Sequence, residues 1–182
     1  MINIKQKYNE VVKPALIKEF GIKNPFAVPS IKKVVVNVGV GEAQANKKAI
    51  PAVQKQIELI TGQKTIVTKA KKSVAAFKIR QGYPIGVKVT LRGDRMHYFI
   101  DKLFSIVIPR LRDFRGISES SVDMHGNLNL GFTEQTIFPE IEYDTIDKIR
   151  GLEVTIVTTS KKHEVGKRLF ELIGVPFVKS NI

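Results

Sequence analysis

The residues with the clearest chemical purpose lie between Lys64 and Arg95. No Asp or Glu occurs between Glu58 and Asp94, and that gap holds Lys64, Lys69, Lys71, Lys72, Lys78, Arg80, Lys88 and Arg92. Cations without local counter-ions suit a polyanion, and the phosphate oxygens of nucleic acid are the natural acceptors. A face kept charged for solubility alone would need no exclusion of acids. Other chemistries are poorly served. His97, His125 and His163 lie far apart, with no metal-ligand spacing. Cys is absent, which excludes thiolate metal sites and a disulfide framework. Ser118, Ser120 and Ser121 lack a nucleophile-elbow context. Glu140, Glu142 and Asp144 read as a solvated acidic loop rather than a chelate. Gly39-Val40-Gly41-Glu42 falls short of a G-x-G-x-x-G nucleotide loop, because Gln44 stands three beyond Gly41. No enzyme, cofactor, metal or small-molecule substrate is expected.

The wider charge balance agrees. The net charge is +13, and it is unevenly spread. Residues 1–93 carry 18 Lys+Arg against 4 Asp+Glu, whereas residues 94–182 carry 12 against 13. The N-terminal half therefore faces a polyanion, and the C-terminal half faces solvent or protein. A membrane is not the expected partner. There is no apolar run of about eighteen residues, and no Trp for an interfacial helix. The opening MINIKQKYNE lacks the apolar core of a signal peptide, so the expected location is cytosolic.

The elements that must hold these cations follow from periodicity. Tyr8, Val12, Leu16 and Phe20 recur at helical spacing before Gly21, with Pro14 forcing a kink or a late start. Ile31 to Val40 alternates as a strand, with Val34, Val36, Val38 and Val40 on one side and Lys33, Val35 and Asn37 on the other. Ala45 to Thr61 predicts a helix burying Ile50, Val53, Ile57 and Ile60. Two β-branched strands follow, over residues 65–68 and 87–91. Ile66 and Thr68 are expected to face the helices with Val87, Val89 and Leu91. The opposite, open face then carries Lys33, Asn37, Gln63, Thr65, Lys88, Thr90 and Arg92, all amide, hydroxyl or cationic. Such a face can bond phosphates, 2′-hydroxyls and base edges. A third helix over 96–111 buries Phe99, Leu103, Ile106 and Val107; a strand at 128–132, irregular chain over 133–147, a strand at 152–159 and a helix at 164–173 complete the order. The length suits one domain, 1–182, with a basic loop protruding at about 71–85.

That loop joins two strands through roughly fifteen residues, and connections this long are usually functional or disordered. Lys71, Lys72, Lys78 and Arg80 are its cations, with Ser73, Gln81 and Tyr83 beside them. Gly82 and Gly86 loosen it, so it is expected to be mobile until it meets RNA. Phe77 and Tyr83 can stack on a nucleotide or pin the loop together.

Several long blocks now read carry a resemblance: VVVNVGVGEA (34–43), ITGQKTIVTKAKKSVAAFKIRQGYPIGVKVTLRG (60–93), PRLRDFRG (109–116) and IFPEIEYDTIDKIRGLEVTIVTTS (137–160). In order and spacing the chain resembles bacterial-type large-subunit ribosomal protein five over nearly its whole length. The resemblance implies an α+β fold: an antiparallel sheet, helices packed on one face, and a long basic hairpin loop. It implies a structural constituent of the large subunit that attaches 5S rRNA in the central protuberance. Asn37, Gln63 and Thr90 fall on the family's polar positions, and the loop would reach P-site tRNA. Further implied partners are 23S rRNA, the other proteins of the 5S particle, and small-subunit ribosomal protein thirteen. A stand-alone RNA chaperone or regulator is the alternative. The basic Lys161 and Lys162 before the last helix depart from the family's acidic tendency and oppose that helix's dipole.

Overall fold

In β1 (Ile31–Gly39) the side chains of Val34, Val36 and Val38 are buried at every second position, because alternate residues of a strand point to opposite faces. Four further strands join it: β2 (Ile66–Lys69), β3 (Pro84–Leu91), β4 (Leu128–Phe132) and β5 (Leu152–Thr158). They form one five-stranded antiparallel sheet in the order β2-β3-β1-β5-β4, so β2 and β4 are the edges. This is the α+β architecture that the resemblance implies. The computed structural model describes residues 4–44, 46–111, 114–142 and 146–178. Arg112 and Asp113, from the basic run after Pro109, and Asp144, from the acidic loop, lie outside the described residues.

The chain groups into two compact units. One comprises Met1–Val34, Arg92–Leu130 and Thr155–Ile182; the other comprises Val35–Leu91 and Gly131–Val154. The first is largely helical. Helix α1 (Ile4–Lys7) runs through a wider π turn, Tyr8–Val12, into α2 (Lys13–Phe20). The amide of Lys13 donates to Tyr8 O, five residues back. Pro14 explains the widening: its ring would press on the carbonyl four residues earlier, and it has no N–H to close the normal bond. The same solution recurs after α4 (Gly93–Lys102). There a π turn, Leu103–Val107, ends with Ile108 N donating to Leu103 O, immediately before Pro109. Val12, Leu16, Phe99, Leu103 and Val107 are buried as the periodicity predicts. Phe20 and Ile106 are not: both are more than a third exposed. Each sits on the margin of its apolar stripe, and Ile106 lies inside the π turn, which rotates it off the helical phase.

The second unit holds the cationic elements. Its helix α3 (Ala49–Thr61) starts four residues later than the sequence suggests. Asn46 explains the delay, since its side-chain oxygen accepts from Lys48 N and its carbonyl from Ala49 N, which makes a turn before the helix. Ile50, Val53, Ile57 and Ile60 are buried as expected, and α3 packs against β2 and β3. Gly62, in the left-handed conformation, ends it. The last helix, α5 (His163–Ile173), belongs to the first unit and ends at Gly174 in the same way.

Candidate nucleic-acid interface

The pairing of β2 with β3 decides what the open face displays. The strands run antiparallel with Ile66 opposite Lys88, Val67 opposite Val87 and Thr68 opposite Gly86. Residues directly opposite share a face. Val87 is fully buried, so Val67 is on the α3 side; Lys88 is exposed, so Ile66 is on the open side, where it is 67% exposed. The phase expected for this strand is therefore inverted. Thr65 is the correction that matters. Its N–H donates to Glu58 Oε1 at 3.2 Å, and its hydroxyl accepts from Gln54 Nε2 at 3.3 Å. Both partners belong to α3, so Thr65 is committed to the helix side and leaves the open face.

The remaining residues of the second unit keep their places. Asn37 alternates with the buried valines of β1 and is half-buried on the opposite side. Lys88 and Thr90 alternate with buried Val87, Val89 and Leu91 along β3. Gln63 precedes β2, and its Nε2 donates to the carbonyl of Thr90 at 3.0 Å. Its amide thus extends the β2–β3 ladder past the last backbone pair. Gly86 is required by close approach: a Cβ there would sit 2.7 Å from Val38 O and 2.9 Å from Thr68 Oγ1. Lys33 and Arg92 belong to the first unit. Along β1, Lys33 alternates onto the Asn37 side, and Arg92 is an exposed, extended residue at the entry to α4.

The basic loop expected at about 71–85 is built as a hydrogen-bonded extension of the hairpin. Ala70 N donates to Tyr83 O at 2.8 Å and Gly82 N to Ala70 O at 2.9 Å, closing the root. Val74 and Ile79 exchange bonds of 2.8 and 3.1 Å, and a short 3-10 turn, Ala75–Phe77, forms the tip. Lys78 leaves that turn with φ of 54°, the one non-glycine among the described residues in the left-handed region. Ser73 spends its hydroxyl on Gln81 N at 3.0 Å, so its role is to brace the tip. Lys71, Lys72, Lys78, Arg80 and Gln81 are exposed. Phe77 is at the tip, 73% exposed, whereas Tyr83 is at the root. The two aromatics are therefore not equivalent, a distinction invisible in sequence.

One group of cations knits the fold. Arg168 grips Glu19 at 2.7 Å, Lys167 meets Glu119 at 2.6 Å, and Lys5 meets Asp94 at 3.1 Å. Arg150 is the most enclosed, with its side chain only 7% exposed. It binds Glu42 through Nε at 3.0 Å and Nη2 at 2.6 Å, and Asp147 through Nη1 and Nη2 at 2.7 Å each. Lys148 also reaches Glu42, at 2.6 Å. These hydrogen bonds hold the Glu42 carboxyl, through Lys148 first and Arg150 second, below the usual carboxylate range. Glu42 of the GVGE turn is thus an anchor, not a phosphate-loop residue. Lys71, Lys72, Lys78, Arg80 and Lys88 have no salt bridge among the described residues, as is also true of surface lysines such as Lys18, Lys23 and Lys55; what sets the hairpin apart is that its whole stretch of chain contains no carboxylate.

Among the described residues no group of His, Asp and Glu could hold a metal ion. His97 has a buried Nδ1 without a partner, and burial, followed by the charge of Lys5, pushes its pKa down. Nor is any described helix long and apolar enough to cross a membrane.

Family models match both stretches that build these elements. Residues 24–80 match "Ribosomal protein L5", and residues 84–177 match the model for the C-terminus of that ribosomal family. The chain belongs to the ribosomal protein L5 family. The two family models meet at the hairpin, between Arg80 and Pro84. The chain is 56% identical over 179 residues to the large ribosomal subunit protein uL5 of Thermoanaerobacter sp. (strain X514), covering 98% of this chain and all of that one. It is 56% identical over 176 residues to the uL5 of Dictyoglomus thermophilum, covering 97% and 98%. With the uL5 of Campylobacter jejuni subsp. doylei it shares 53% over 179 residues, covering 98% and 99%. As a member of this family it is a structural constituent of the large ribosomal subunit, its partners are ribosomal RNA and ribosomal proteins, and it is not an enzyme.

Proposed function

We propose that the open face of the second unit binds 5S rRNA and so attaches it to the large subunit in the central protuberance. Asn37, Gln63, Lys88 and Thr90 make the contact, and Thr65 takes no part; Lys33 and Arg92, which belong to the first unit, are proposed separately as cations that meet RNA phosphates. The hairpin tip, with Lys71, Lys72, Lys78 and Arg80, contacts the backbone of P-site tRNA. Phosphate contacts carry no sequence information, which suits a surface that must accept every tRNA. The chain also meets 23S rRNA and the other proteins of the 5S particle, and it bridges to small-subunit ribosomal protein thirteen.

The observation that carries this reading is the clustering of unpaired cations on one hairpin whose stretch of chain holds no Asp or Glu. Arg150, Arg168, Lys167 and Lys5 are paired with carboxylates, while those of the hairpin tip and Lys88 have none among the described residues. Unpaired cations clustered on one projecting element cost self-repulsion that a polyanion relieves. The test is filter binding of 5S rRNA to Asn37→Ala and Thr90→Ala, with circular dichroism as the folding control. Each should weaken binding by about 0.5–1.5 kcal/mol, the net worth of one hydrogen bond. Thr65→Ala should leave affinity unchanged. Full affinity in both open-face variants would remove the sheet from the interface.

A further inference from the structure

We propose that a groove on the α3 side of the hairpin takes one unpaired nucleotide of ribosomal RNA, its base against Tyr83 and its phosphate on Lys47 and Lys69. The proposal rests on the reading that this hairpin lies against RNA, and it adds a second contact on the side opposite the open sheet face. The groove has a volume of about 690 Å³, within the range of about 300–1,000 Å³ typical of small-ligand sites. Its floor is apolar, made by Ile50 and Pro51 from the first turn of α3 and by Val67 of β2. Tyr83 and Pro84 form one wall. The Tyr83 backbone is hydrogen-bonded to Ala70 at the hairpin root, and the residue is 39% exposed and lines the groove, so its ring is accessible there. Aromatic side chains of this kind stack on splayed-out bases.

The rim decides the occupant. Lys47 and Lys69 stand at it, and neither has a salt bridge among the described residues. Lys69 follows Val67 by two residues along β2, so alternation puts both on the groove side. No carboxylate lines the groove among the described residues, and the Gln44 amide offers a donor and an acceptor to a base edge. An apolar side chain of a protein partner would satisfy the floor and leave both cations unanswered. A flat ring that carries its own negative charge satisfies both, and a nucleotide has that shape.

The experiment uses the full chain, a short single-stranded oligoadenylate as probe, and NMR shifts of the Ile50 and Val67 methyls and the Tyr83 ring. The probe should move these signals. Tyr83→Leu should weaken that binding at least about fivefold, the low end of the effect of removing a stacking partner. Tyr83→Phe, which keeps the ring, should stay within about twofold. Lys47→Ala with Lys69→Ala, both surface changes, should flatten the log–log salt dependence by about one unit for each phosphate no longer neutralised. Lys88→Ala, on the open face, should leave the groove signals unchanged. Shifts confined to Asn37, Lys88 and Thr90 would overturn the groove and spare the RNA reading; no shift on either face would overturn both. Filling of the groove by an acidic apolar peptide but not by the oligonucleotide would overturn the proposal in favour of a protein occupant.

Discussion

Replacing Arg150 by Met tests how the fold holds its GVGE turn. Removing one partner of a fully buried pair costs about 3–5 kcal/mol, whereas an exposed pair is worth about 0–1. Arg150 lies between these limits: its side chain is 7% exposed, but those of Glu42 and Asp147 are 28% and 38% exposed. Methionine keeps most of the apolar stem, so lost packing adds little. The Arg150 amide would keep its bond to Gln135 Oε1, because that bond is made by the backbone. About 2–3 kcal/mol is the expected destabilisation. With a urea m-value of about 2 kcal/mol/M, the unfolding midpoint should fall by about 1–1.5 M. Acid adds a second readout. Asp147 is held below the usual carboxylate range chiefly by its hydrogen bond to Arg150, and Glu42 by those to Lys148 and Arg150. Both folded-state values are depressed, so their stabilisation is present above the unfolded values, near pH 4, and is lost as pH falls through the folded ones. Arg150→Met should therefore flatten the fall in stability between about pH 5 and pH 2. A midpoint that moves by less than about 0.2 M, with an unchanged acid limb, would refute the reasoning and leave the network as a screened surface cluster.

Three further outcomes are expected. Lys88→Ala should reduce the salt slope of 5S rRNA binding by about one unit, measured by filter binding across a salt series; an unmoved slope would place Lys88 against solvent. Shortening the hairpin between Ser73 and Gln81, outside the Ala70–Tyr83 pair that closes its root, should spare folding and 5S rRNA binding but impair translation in a reconstituted system. Loss of 5S rRNA binding by this folded variant would end the division of labour between face and tip. Gly166→Ala should destabilise the protein by about 1–3 kcal/mol in urea melts, although alanine is the better helix former. Gly166 is buried inside α5, and an added Cβ would lie 2.6 Å from Gly126 O, a backbone atom that cannot turn aside.

The sequence by itself determined every element whose two faces differ in chemistry. Valines at every second position of β1 leave only one buried face, and Val87, Val89 and Leu91 do the same for β3. The stripe of α3 was equally legible, as were the acid-free run and the long blocks that identify the family. What failed had no such contrast. In β2, Ile66 and Val67 are both apolar and β-branched, so alternation over so short a strand cannot choose a face. Only the pairing of Val67 with fully buried Val87 decided it, sending Ile66 outward and Thr65 to Glu58 and Gln54. The hydrogen bonding within the hairpin tip was out of reach for a related reason. Glycines and lysines read as looseness, while the bonds that order it join residues far apart along the loop: Ala70 with Tyr83, Val74 with Ile79, Ser73 with Gln81. Arg150 meets Glu42 from more than a hundred residues away, and no local pattern records that distance. Periodicity reports which side of an element avoids water; which partner it meets there is a property of the folded chain alone.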